Sequence, residues 1–261
     1  ERQENLDLKQ AMITSLRLTD GQVSAVVTRL GAVYQVRACV IASGTYLDAR
    51  VITGDCAYAS GPDGMQAGIG LAEQLSSLGL RMRRFKTGTP PRVNARSVRF
   101  DEMQLQPGDE EIEPFSYSTD AAALQNRAVC WLTYTNPRTH GIIRANLDRS
   151  PLFNGTIEST GPRYCPSIET KIVTFPDKER HQLFIEPMGL HTQELYIQGL
   201  SSSLPEDVQI DVVRSIPGLE NAEMQRCAYA IEYDCVDPTE LRATLESKKI
   251  PGLYGAGQFN G

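Results

Sequence analysis

The 261-residue sequence is notable first for what it lacks. No run approaches the roughly 20 apolar residues that a membrane-spanning helix needs, so a bilayer-embedded protein is not expected. Neither HExxH nor GxSxG occurs, and His140, His181 and His191 are far apart, which removes the usual supports for zinc hydrolysis or α/β-hydrolase chemistry and leaves no metal expected. The six cysteines, Cys39, Cys56, Cys130, Cys165, Cys227 and Cys235, form no CxxC pair, so a zinc site and a dense disulfide framework are both unsupported and a reducing cytoplasm fits. A basic start followed by an apolar stretch is missing, and so is a Met at position 1; the sequence is therefore expected to be an internal piece of a longer protein.

What is present suits a soluble globular fold. Apolar residues make up 41% and charged residues 22%, and the net charge of -6 argues against indiscriminate coating of nucleic acid. Positive charge is nevertheless concentrated. Arg81, Arg83, Arg84, Lys86, Arg92, Arg96 and Arg99 fall within 19 residues that contain no Asp or Glu. Such a stretch either holds phosphates or forms a solvated strand face.

Strand signals open the chain. Asp20-Gly21 between apolar, β-rich runs predicts a hairpin, and Ala38-Cys39-Val40-Ile41-Ala42 reads as a strand buried on both faces that ends at Ser43-Gly44-Thr45. Residues 61–80 pass from a glycine-rich loop into a helix with Ile69, Leu71, Ala72, Leu75 and Leu78 on one side and Gly79 as its stop. That loop is either an ordinary entry to a core helix or a phosphate cradle. Residues 100–128, with Asp109-Glu110-Glu111 and Glu113, read as an exposed acidic excursion. A second helix is predicted near 205–216, where Pro and acids mark a start, and a short strand runs into glycines at 250–257.

Three groups of residues are chemically suggestive. Cys165, between two prolines and near Arg163, is either a thiol whose thiolate a cation favours or a buried inert one. His140, near Arg144 and Arg149, is expected to be at the surface or structural. Glu232 and Asp234 alternate with apolar residues, so they share one strand face; a solvent-facing edge is the first expectation and an acid/base pair the second.

Six segments together resemble the MnmG (GidA) family across the whole length: Lys86-Thr87-Gly88-Thr89-Pro90-Pro91-Arg92, Asn146-Leu147-Asp148-Arg149-Ser150-Pro151, residues 161–169, Tyr229-Ala230-Ile231-Glu232-Tyr233-Asp234, Thr244-Leu245-Glu246-Ser247-Lys248 and Gly255-Ala256-Gly257-Gln258-Phe259-Asn260-Gly261. The resemblance implies an α/β fold, an FAD-binding Rossmann-like domain of the glutathione-reductase type (1–90 and 236–261) with an inserted NAD(H)-binding-like α+β domain (91–235). The family's N-terminal GxGxxG and its C-terminal helical region are not in the sequence.

By position, the resemblance nominates Met12, Gly68, Gly255, Gly257 and Gln258 for FAD. For NAD it nominates Gly161, Pro162, Arg163, Tyr164, Cys165, Pro166, Ser167, Ile168, Glu169, Thr170, Lys171, Ile172, Val173, Thr174 and Phe175. Cys165 is nominated for catalysis as nucleophile or proton carrier, and Arg83, Arg84 and Lys86 for RNA. The implied reaction builds 5-carboxymethylaminomethyl-uridine at wobble position 34 of tRNA from methylenetetrahydrofolate and glycine or ammonium, with NADH reducing FAD. A GTPase partner and a homodimer are implied as well. A folate- and FAD-dependent tRNA uracil-54 methyltransferase is the alternative enzyme, and an inactive RNA- or partner-binding fragment the alternative of another class.

Overall fold

A computed structural model describes residues 3–159, 161 and 166–261. In chain order the strands are β1 (Ile13–Thr19), β2 (Gln22–Thr28), β3 (Val33–Gln35), β4 (Cys39–Ile41), β5 (Arg50–Thr53), β6 (Cys56–Ala59), β7 (Met82–Thr89) and β8 (Arg92–Asn94). They continue as β9 (Gln104–Gln106), β10 (Cys130–Tyr134), β11 (Gln182–Pro187), β12 (Glu194–Gln198), β13 (Met224–Arg226), β14 (Tyr229–Val236) and β15 (Leu253–Gly255). The α-helices are α1 (Leu71–Ser77), α2 (Pro137–Arg144), α3 (Ile168–Thr174) and α4 (Glu206–Arg214). The fold is mixed α/β. The chain divides into two units, the first made of Glu1–Val51, Ala57–Lys86 and Ile231–Gly261, the second of Ile52–Cys56 and Thr87–Ala230.

The first unit begins with the antiparallel meander β1-β2-β3. Asp20 and Gly21 turn between β1 and β2 with φ of 50° and 80°, the left-handed pair that a two-residue hairpin needs. Leu16 on β1 and Val23 on β2 are buried with Leu71, Ala72 and Leu75 of α1. Gln74 clasps the meander edge-on: its Oε1 accepts the Leu16 N–H at 2.7 Å and its Nε2 donates to the Leu16 carbonyl at 2.9 Å. Helix α1 is shorter than the sequence pattern suggests. It starts after Gly70, leaving Ile69 outside and 43% exposed, and Gly79 follows its end with φ of 90°.

The second structural motif of this unit is a parallel pair, β4 beside β15, with Cys39 opposite Leu253 and Ile41 opposite Gly255. The expectation that β4 is buried on both faces is corrected: Ile41 is buried while Val40 is 61% exposed. One face of the strand packs on the core and the other is open.

In the second unit a six-stranded antiparallel sheet, ordered β13-β8-β12-β11-β10-β9, packs against α2, α3 and α4. The alternation of Leu183 and Ile185 on β11 with Leu195 and Ile197 on β12 puts four fully or nearly fully buried side chains on one sheet face. They meet Ile143 from α2, Ile168 and Ile172 from α3, and Val208, Val212 and Val213 from α4. Helix α2 starts in a reciprocal cap, Asn136 accepting from the Thr139 N–H while the Thr139 hydroxyl accepts from the Asn136 N–H. Helix α4 follows Pro205 with Glu206 and Asp207 in its first turn, as its start signal predicts. Between β9 and β10 the acidic excursion is exposed, Phe115 and Tyr117 included.

Candidate functional site

The first unit holds a concave site at the carboxyl ends of its parallel strands, where open α/β sheets place their ligands. After Ile41 the chain continues through Ser43-Gly44-Thr45, and after Gly255 it continues through Ala256-Gly257-Gln258, with the Ala256 N–H donating to the Ile41 carbonyl at 2.9 Å. Beside these ends lies a cavity of about 440 Å³ whose walls include Met12, Val40, Ser43, Tyr46, Gly68 and Leu71. Two of the five residues nominated for FAD, Met12 and Gly68, therefore face one cavity although 55 residues separate them in sequence. Gly68 is fixed against the strand ends, its N–H donating to the Tyr46 carbonyl at 2.8 Å and its carbonyl accepting from the Asp48 N–H at 3.0 Å. The Met12 carbonyl accepts from the Arg29 N–H at 2.8 Å, so that residue is held by the meander.

The remaining three nominated residues lie at the end of β15 and just beyond it. Gly255 admits no side chain, because a Cβ there would collide with the Asn260 Oδ1 and the Phe259 ring. Gly257 has φ of 64° and open space where a Cβ would stand. Gln258 is exposed, and its Nε2 donates to the buried Tyr233 hydroxyl at 2.7 Å. The residues present fit a large, mostly apolar cofactor with a few polar contacts. The cavity wall is apolar save for few groups, and among them the Ser43 hydroxyl is buried with no hydrogen-bond partner among the described residues. A buried hydroxyl left unmatched costs free energy that a ligand's polar atom would recover. Sequence reasoning read Ser43 only as a turn residue and did not single out Tyr233; the signal for Ser43 was its place immediately after a buried apolar strand.

The stretch nominated for NAD splits by burial. Pro162, Arg163, Tyr164 and the candidate nucleophile Cys165 lie outside the described residues. Of the rest, Gly161 is half-buried and Pro166 exposed, and Ser167 caps α3 by accepting from the Thr170 N–H at 3.2 Å. Ile168 and Ile172 point into the core of the second unit, whereas Val173, Thr174 and Phe175 are exposed. Lys171 donates to the Gly199 carbonyl at 3.1 Å. Glu169 is fully buried. Its Oε1 accepts from the Ser202 hydroxyl at 2.9 Å, the Ser203 N–H at 3.1 Å and the Ser150 hydroxyl at 3.4 Å, so it braces three chain segments from within.

The basic stretch is less uniform than its sequence. Arg84 pairs with Asp234 at 2.9 Å and with Asp48 at 3.8 Å, Arg81 with Glu240 at 2.7 Å, and Arg99 with both Glu102 and Glu220. Lys86 is only 7% exposed. Arg83 is exposed, its guanidinium 5.4 Å from the centre of the Phe85 ring. The picture of Glu232 and Asp234 as a solvent-facing edge is corrected: Glu232 is buried and Asp234 is held by Arg84. Burial pushes the Asp234 carboxyl up, against the pull of Arg84 in the other direction.

Other titratable groups have structural surroundings. His140 is buried and its Nε2 lies 2.8 Å from the Thr135 hydroxyl, with the His181 ring 5.4 Å away. Burial, followed by Arg144, pulls His140 below the ordinary histidine range; burial, then His140, Lys171 and Lys178, do the same to His181. Burial also pushes the thiols of Cys227 and Cys235 up to about 11, so near neutrality both are protonated and poor nucleophiles. Among the described residues no cluster of His, Cys, Asp and Glu is able to hold a metal ion, and no helix is long and apolar enough to cross a membrane.

Fold and site together define a mixed α/β protein with a cofactor-sized crevice at the ends of a parallel strand pair. The same chain fold is seen in the Aquifex aeolicus GidA structures: the form I crystal matches 99% of this chain and 44% of that one at 48% identity and a TM-score of 0.92, and form II matches 100% and 42% at 46% and 0.90. A family model described as Glucose inhibited division protein A matches residues 1–261, and the chain belongs to that family. Similar curated proteins include the tRNA uridine 5-carboxymethylaminomethyl modification enzyme MnmG of Clostridium botulinum strain Loch Maree, 56% identical over 100% of this chain and 42% of that protein. The protein of the same name from Streptococcus suis strain 05ZYH33 is 56% identical over 100% of this chain and 41% of its own length. The chain thus spans about two fifths of the curated relatives it matches.

Proposed function

We propose that this chain contributes the flavin crevice and part of the substrate machinery of an enzyme that installs the 5-carboxymethylaminomethyl group on wobble uridine 34 of tRNA. The observation that carries this reading is the 56% identity, extending over the whole chain, to proteins named for that modification. On this reading the 440 Å³ cavity receives part of FAD, with Met12 and Gly68 on its wall, and Gly255, Gly257 and Gln258 meet the cofactor from the end of β15 beside β4. When bound, the flavin supplies hydride and one-carbon chemistry that side chains lack. The chain's own part is to hold it: close backbone approach at Gly257, with Gly255 making room for Phe259 and Asn260 behind it, a polar contact from Ser43, and an amide from Gln258.

NADH serves as reductant and residues 161–175 as its contact stretch, with Val173, Thr174 and Phe175 the exposed members and Glu169 an internal brace. Cys165 acts on uracil as nucleophile or proton carrier. Arg83, exposed and without a carboxylate ion pair among the described residues, is the first candidate for a tRNA phosphate; Arg84 and Lys86 are better placed to support it. Methylenetetrahydrofolate and glycine or ammonium supply the added atoms, a GTPase partner and a second copy complete the assembly, and the setting is the cytoplasm. The test is nucleoside analysis of tRNA from cells lacking the gene. Restoring the wild-type gene should bring back the modified uridine and restoring Cys165→Ser should not; full recovery with the serine variant would remove Cys165 from the chemistry.

A further inference from the structure

Gln258 is exposed just after β15, the strand paired with β4, yet its side chain is tied inward. Its Nε2 donates to the hydroxyl of Tyr233, a residue of β14 with 0% exposure. The Tyr233 ring is fixed in turn by an edge-on contact with Phe85, centroids 6.5 Å apart at 79°. An exposed glutamine has three rotatable bonds and, untethered, samples many rotamers. Here one amide N–H is committed to the tyrosine, which leaves the carbonyl oxygen and the second N–H as a donor-acceptor pair of fixed orientation.

We infer that Tyr233 is a positioning residue: it orients the Gln258 amide toward a ligand whose edge offers both a donor and an acceptor, the pattern of the imide edge of a flavin ring. The inference rests on the flavin reading above and adds to it a residue that never touches the ligand. Holding the amide in one orientation removes part of the entropy cost of binding and sets which atom faces the ring. A purely structural tyrosine would give the fold its packing and leave the ligand indifferent to the hydroxyl.

The experiment compares FAD-loaded wild-type protein with Tyr233→Phe, Gln258→Asn and the double variant, reading FAD affinity by fluorescence, the visible flavin spectrum, and the unfolding midpoint of the cofactor-free protein. Tyr233→Phe keeps the ring and removes only the oxygen; Gln258→Asn leaves the tyrosine untouched but is one methylene too short to reach it. Each single change should weaken FAD by about five- to tenfold and displace the flavin bands alike, and the double variant should be no weaker than Gln258→Asn alone. Effects on FAD that add in the double variant would overturn the inference. So would a Tyr233→Phe protein whose unfolding midpoint moves while affinity and spectrum stay wild-type, provided Gln258→Asn alters both. If FAD binds and Gln258→Asn also leaves affinity and spectrum unchanged, or if the wild type binds no FAD, the flavin reading of Gln258 itself falls and this inference with it.

Discussion

The two units use apolar surface differently. In the second, one sheet face and the buried sides of the three helices meet in one continuous core, from Val93 and Ile143 through Ile197 to Leu219, and even a carboxylate is enclosed there. In the first, a smaller core around Leu75 and Phe259 stops at the edge of a cavity, and Val40, Tyr46, Met65 and Ile69 remain more than a third exposed. A unit that commits its apolar surface to packing is a scaffold, whereas one that leaves an apolar wall beside strand ends has surface to spend on a ligand.

The largest effect expected from breaking this contrast is at Glu169. Glu169→Ala leaves three buried donors facing its Oε1 without an acceptor, each costing about 1 to 3 kcal/mol, and should lower stability by about 4 kcal/mol in urea unfolding followed by signals from the second unit. A loss below about 1 kcal/mol would mean that the brace is dispensable. Next comes Leu75→Ala in the first unit. The side chain has 0% exposure, and its removal should cost about 3 kcal/mol while leaving the second unit's signals in place. A simultaneous loss of both would show that the two units unfold as one.

Acid should separate them further. His140 and His181 are held below the ordinary histidine range when folded, so the stability they contribute is fully present above about pH 6.5 and is lost as pH falls through their lowered folded values. The urea midpoint of the second unit should therefore drop between about pH 7 and pH 5, and His181→Phe should flatten the drop. An unchanged pH dependence in that variant would locate the acid sensitivity elsewhere. The smallest effect is at the hairpin: Gly21→Ala, at φ of 80°, should cost about 1 kcal/mol, and no cost would argue against the left-handed turn.

Local features were legible in the sequence because local physics sets them. Asp20-Gly21 marked its hairpin, and Pro205 with Glu206 and Asp207 marked the start of α4. Features that depend on distant partners were not. The basic stretch looked like an open cationic face, yet Arg81, Arg84 and Arg99 find Glu240, Asp234 and Glu220 more than 100 residues later, and no local pattern announces such pairs. Glu232 and Asp234 read as a wet edge for the same reason. Val40 read as buried because strand patterning reports how apolar a strand is and not what lies across from each face. At the candidate site, the sequence placed Gly255 to Gln258 at the end of a short strand, but the cavity that joins Met12 to Gly68 exists only once α1, the meander and the strand pair have assembled.

The central claim, that the crevice of the first unit is a flavin site, is tested most directly by titrating FAD into wild-type protein and into Gly68→Leu, with the unfolding midpoint of each measured alongside. Gly68 is on the wall of the 440 Å³ cavity, a Cβ there would stand at ordinary contact distance, 3.5 Å, from the Tyr46 carbonyl, and its backbone is not in the left-handed region, so the fold should survive a leucine that crowds the wall. The account predicts that the wild type binds FAD with a shifted visible spectrum and that the variant, equally folded, loses at least about tenfold in affinity. Undiminished FAD binding by a folded Gly68→Leu protein would contradict it.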